Sequence, residues 1–130
     1  MSTERHVQLH AFAHDGILIL RIQTAMIRQP KVAEELGRDI LDELGTHQPS
    51  ALLVDLAKVE YLSSTGFAML LSVSKAVTEK KMPMALCGLQ EDVARGSSIL
   101  GIQRYVGVYL DEAEAIAALK QALANRHDKT

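Results

Sequence analysis

From Val7 to Ala13 the chain alternates as V-Q-L-H-A-F-A, with Val7, Leu9, Ala11 and Ala13 on one side. A period of two predicts a half-buried strand. His14-Asp15-Gly16 follows, and Asp-Gly is a strong short hairpin signal. Ile17 to Ile22 is nearly all apolar, so it reads as a second, more central strand closing an antiparallel hairpin. Gln23 to Gln29 has no period and reads as a loop. Pro30 suits the first turn of a helix, where its missing N–H costs nothing. Val32, Leu36, Ile40, Leu41 and Leu44 then share one helical stripe, with Gly45 placed to end it.

Ala51 to Leu56 is a short apolar run of the kind buried in a parallel sheet. Tyr61 and Leu62 lead into a polar cluster, Ser63-Ser64-Thr65-Gly66. Phe67, Leu70, Leu71, Ser74 and Val77 mark a second helix that ends on Lys80 and Lys81. Pro83 to Leu86 reads as a strand, Glu91 to Leu100 as a helix and Tyr105 to Leu110 as a last strand. Asp111 with Glu114 makes a capping-box-like start to a final helix, whose stripe is Ala115, Ile116, Leu119, Ala122 and Leu123. Residues 125–130 read as a frayed tail. The order is ββαβαβαβα. It predicts one α/β domain over residues 1–130, with its core at about 7–124 and helices packed on a sheet that is mixed at the hairpin and parallel afterwards.

Composition narrows the function without naming it. Fourteen Lys and Arg against sixteen Asp and Glu give a net charge of −2, so the basic excess of a non-specific nucleic-acid binder is missing. Apolar residues make up 48%, enough for a chain of 130 residues to bury a core of its own. The longest apolar runs fall far short of the roughly 20 residues that span a bilayer, and no basic-then-apolar leader opens the sequence. A cytoplasmic protein without a membrane partner is expected. One cysteine, Cys87, leaves no internal disulfide.

The motifs of common catalytic chemistry are also missing. There is no G-x-x-x-x-G-K-[ST] or G-x-G-x-x-G loop to cradle phosphates, and no G-x-S-x-G elbow. His6, His10, His14, His47 and His127 show no metal-ligand spacing, and Cys87 reads as a small buried hydrophobe. The expectation is a protein that is not an enzyme and uses no cofactor or metal. A receiver domain of a phosphorelay is disfavoured, because Arg21 to Ala25 lacks an acidic pair and no lysine follows Tyr105 to Leu110.

What remains is Ser63-Ser64-Thr65-Gly66, between a buried strand and an apolar helix. Hydroxyls here can cap free backbone N–H groups, which requires only one of them. They can also form a phosphorylation site, where a charge of about −1.5 to −2 would meet the positive end of a helix dipole. Physics alone leaves both readings open.

The stretch from Val54 to Leu71, V-D-L-A-K-V-E-Y-L-S-S-T-G-F-A-M-L-L, resembles the signature of STAS domains, specifically the anti-sigma-factor antagonists. In that family an apolar strand ending D-L-[ST]-x-[VL] leads through two apolar residues to D-S-[ST]-G and an apolar helix. The Met84 to Leu89 strand, the Glu91 to Leu100 helix and the Gly101-Ile-Gln-Arg turn follow the same order, so the likeness runs from about Val7 to Leu119. It implies a non-enzymatic switch. The unphosphorylated domain binds a serine kinase that doubles as an anti-sigma factor, which frees a sigma factor. Phosphorylation of the hydroxyl before the glycine ends the contact, and a serine phosphatase resets it. That position is Thr65, with Ser64 as the alternative. The implied contact surface is Ser63, Ser64, Thr65, Gly66, Phe67 and Met69. Two positions depart from the family: Ser63 stands where it has an acid, and Arg28 and Gln29 stand near a second acidic place. A STAS subunit in a larger signalling assembly, never phosphorylated, is the rival, and a homodimer is left open.

Overall fold

The computed structural model describes residues 8–127. Strands β1 (Leu9–His14) and β2 (Ile17–Ile22) form the expected antiparallel hairpin, with His14 opposite Ile17. Asp15 and Gly16 both take positive φ, +52° and +80°. This is the primed two-residue turn whose twist matches that of the flanking strands. Val7, expected in the first strand, lies outside the described residues.

The next segment differs from its expected loop. Met26–Ile27 forms a short strand, β3, parallel to β5 (Tyr61–Leu62). Ile27 is fully buried, so one apolar anchor gives structure to a stretch with no period. Between them lie α1 (Pro30–His47) and β4 (Ala51–Asp55), followed after β5 by α2 (Ser64–Glu79). α1 does not stop at Gly45. It runs two residues further, and Gln48 takes the left-handed cap with its N–H on the Leu44 carbonyl, 2.9 Å away. Leu41 points off the buried stripe and is exposed, and Leu71 is half-buried, with Val73 taking the buried place in α2.

The remainder is β6 (Met84–Cys87), α3 (Glu91–Leu100), a 3₁₀ turn at Ile102–Arg104, β7 (Gly107–Tyr109) and α4 (Glu112–His127). β7 is shorter than the expected strand because Ile102 and Val106 anchor a turn ahead of it. α4 continues through Asn125 and Arg126, which corrects the expected start of the tail, and residues 128–130 lie outside the described set. Asp111 accepts the Glu114 N–H at 2.9 Å, half of the anticipated capping box.

The main sheet has the order β1-β2-β4-β6-β7, antiparallel only in its first pair. Alternation along each strand divides two cores. Leu18, Leu20, Leu52, Val54 and Leu86 meet α1, α2 and α3, while Ile17, Ile19, Ala51, Leu53 and Ala85 meet Ala115 and Leu119 of α4. This is an α/β domain with four helices on a mixed sheet. No helix among the described residues is long and apolar enough to cross a membrane.

Candidate functional site

The polar cluster is set at the start of α2 by its neighbours on both sides. Pairing of β3 with β5 brings the segment before α1 against the segment before α2, and the Ser63 N–H donates to the Ile27 carbonyl at 2.9 Å. Ser63 is extended and caps the helix, its Oγ accepting the Gly66 N–H at 3.1 Å. A cap at this position needs only an acceptor oxygen, so serine does the local work of an acidic residue while adding no charge. Among the described residues the N–H groups of Ser64 and Thr65 have no partner and are the remaining donors of the first turn.

Ser64 and Thr65 are exposed at the first two positions of α2, and neither hydroxyl has a hydrogen-bond partner among the described residues. Gly66 is buried for a steric reason. A Cβ there would overlap the Leu62 side chain, lie 2.9 Å from its Cγ and touch Ile27. Any larger residue would have to displace the Leu62 side chain or lift the helix start off β3 and β5.

Phe67 does not offer the contact surface expected of it. Only 3% exposed, its ring fills the space over Gly96 of α3, where an added Cβ would meet ring carbon Cε2 at 2.9 Å. The ring lies on the helix face that turns inward, one position past the buried glycine. Gly66 and Phe67 therefore shape the surface from beneath. Ser64, Thr65 and Ala68 form it, with Met69 half-buried beside Gly37 of α1. Arg28 stands at its margin, the guanidinium 5.7 Å from the centre of the exposed Tyr61 ring. Neither α1 nor α2 has an acidic residue in its first turn, so no carboxylate there offsets the positive helix ends.

A second cluster, which no sequence motif marks, lies on the other face of the sheet. Arg21 donates both Nε and Nη2 to Glu112, at 2.7 and 2.8 Å, and lies over the Phe12 ring. Asp55, at the end of β4, lies beside the Glu112 carboxyl and accepts the Ala57 N–H at 2.8 Å. Burial and the Glu112 carboxyl push Asp55 up to about 6, while the Arg21 hydrogen bonds hold Glu112 down at about 2. Burial pushes the Cys87 thiol up to about 12, which suits an inert core residue. The only available signal was the period of two in β2 and β4, which puts Arg21 and Asp55 on the α4 face. Their register partner in α4 could not be read from the sequence. Among the described residues, no group of His, Cys, Asp and Glu could hold a metal ion.

The chain matches the STAS domain family over residues 8–115 and belongs to that family. An anti-sigma F factor antagonist of Paenibacillus polymyxa is 22% identical over 116 residues, covering 88% of this chain and 97% of the relative. The solved structure of the anti-sigma factor antagonist SpoIIAA in its unphosphorylated form superposes with a TM-score of 0.71 at 13% identity, covering 88% of this chain and 96% of the other. A chain from the molecular architecture of the stressosome, described as a signal integration and transduction hub, superposes at 0.66 and 16%, covering 86% and 96%.

Proposed function

We propose that this STAS domain is a non-enzymatic anti-sigma-factor antagonist of the cytoplasm. It binds a serine kinase that doubles as an anti-sigma factor, and phosphorylation of Thr65 switches it off. A serine phosphatase restores it. The observation that carries the reading is Thr65 itself, an exposed hydroxyl without a partner among the described residues, on the first turn of a helix whose cap is already made by Ser63. Capping uses one hydroxyl of the three, so Thr65 is free for another task. Ser64 is the alternative acceptor.

The physical logic of the switch is a change of charge on a neutral surface. A phosphate on Thr65 meets the helix dipole and the free first-turn N–H groups, so the fold tolerates it. A partner seated over Ala68 and Met69 does not. An unpaired charge in such a contact costs several kcal/mol. With serine rather than an acid at position 63 and Arg28 at the margin, the unmodified surface is neutral to basic. Phosphorylation therefore reverses its sign. Thr65→Glu is expected to keep its melting temperature and weaken kinase binding roughly 100-fold, about 2.7 kcal/mol. Thr65→Ala keeps both. Calorimetric titration against a kinase recovered by affinity capture checks this, and binding of Thr65→Glu at wild-type strength refutes the switch. The superposition on a stressosome chain favours one second reading, a scaffold subunit that is never phosphorylated. In that case the native protein elutes in an assembly far larger than a dimer, with unmodified Thr65.

A further inference from the structure

We propose that β1 is a pairing edge for a second copy of this chain, joined antiparallel about a two-fold axis at Ala11. The two edges of the main sheet are unlike. β7 is three residues long, a length that gives an incoming strand little to pair with, whereas β1 runs for six residues and among the described residues pairs with β2 alone. β1 also lacks the usual protections: L-H-A-F-A-H has no lysine, arginine, carboxylate or proline, and its register with β2 is unbroken by a bulge.

The direction of the free backbone groups follows from the hairpin. The Gln23 N–H donates to the Gln8 carbonyl at 2.8 Å and the Gln8 N–H to the Thr24 hydroxyl at 2.8 Å, so Gln8 turns its backbone groups toward β2 and its continuation. Antiparallel ladders alternate, so His10, Phe12 and His14 spend their backbone groups on β2. Leu9, Ala11 and Ala13 send theirs outward. A two-fold axis at Ala11 then sets Ala11 against Ala11 of the second copy, and Leu9 against its Ala13. Each outward residue meets an outward residue, in three reciprocal pairs.

The side chains accept the same register, which is why the occupant is a second copy. Leu9 covers Ala13 on one face, and only alanine meets alanine at the axis, so nothing large collides there. On the other face His10 lies against Phe12 of the second copy, and Gln8 against its His14. No like charges of acidic or basic residues fall opposite one another. An interface of this length buries less than the ~1,200 Å² at which stable complexes begin, so association is weak and concentration-dependent. Ser64 and Thr65 lie outside the edge, so the pairing stands or falls independently of the proposed switch.

Sedimentation equilibrium on the full chain, from micromolar to about 1 mM, tests the proposal. Wild type is expected to shift from monomer to dimer across that range. Ala11→Pro removes the central outward N–H but no bond to β2, and proline is tolerated at such edge positions. It should keep its melting temperature and weaken dimerisation at least about tenfold. Ala13→Lys, an exposed substitution that leaves the backbone intact, should do the same, and it decides the matter if Ala11→Pro does not fold. Wild type that is monomeric at every concentration overturns the proposal. So does a dimer that neither variant weakens.

Discussion

Strand β4 serves two regions that differ in kind. On the α4 face its last residue, Asp55, joins Arg21 and Glu112 in a charged cluster tied by two short hydrogen bonds. Past its end, on the face of α1 and α2, the chain reaches Ser63, Ser64 and Thr65, where no acidic side chain stands in either first turn. The charged region is internally paired and fastens a helix. The neutral region is left unpaired. A surface with no carboxylate in either first turn is where one added phosphate changes the most.

The largest expected effects break both faces at their cores and show whether the two are equally needed. Leu53 is fully buried toward α4, and Leu70 is 2% exposed toward the opposite layer. Leu53→Ala and Leu70→Ala should each cost about 2–5 kcal/mol, read from urea midpoints. An unchanged midpoint for either would show that face to be loosely packed.

Next comes the steric basis of the neutral region. Gly66→Ala must displace Leu62 or lift the start of α2, at a cost of about 1–3 kcal/mol. Because it reshapes the surface bearing Thr65, it should also weaken the proposed kinase contact, unlike Thr65→Ala. Wild-type stability for Gly66→Ala would show that the close approach is dispensable.

The smallest effect sharpens the charged region. Asp55 sits above its ordinary value, at about 6, so the unfolded chain releases this proton near pH 4 while the folded chain keeps it. Its contribution to stability therefore falls between about pH 4 and 6 and is flat above. Glu112, held near 2, works in the opposite sense: its contribution grows from about pH 2 to 4.5 and then persists. Both groups are part-exposed and interact, so solvent reduces the net decline from pH 5 to 7.5 to about 1 kcal/mol. Asp55→Asn should remove that decline, measured as the difference in urea midpoint between the two pH values in variant and wild type. An equal decline in both would assign it to groups other than Asp55.

Much of this molecule was legible in one dimension. Alternation over Leu9 to Ala13, Asp15-Gly16, the apolar run at Ala51 to Val54 and the stripe of α2 are local patterns with local causes, and each specified its element. The cap at Ser63 and the exposed hydroxyls beside it were equally local. Phe67 could not be judged that way, because its burial depends on Gly96, brought against it by the packing of α3 on α2. Residues 23–29 carried no period, yet Ile27 is buried through pairing with a strand more than thirty residues away. Arg21 and Glu112 are 91 positions apart and meet only because β2 and α4 pack on the same face of the sheet. The sequence by itself determined the elements, their order and the chemistry of the S-S-T-G turn, since propensity, capping and periodicity act over a few residues. Only the tertiary structure decided that Phe67 is buried and that Asp55, Arg21 and Glu112 meet, since those depend on distances that close only when the sheet and its helices assemble.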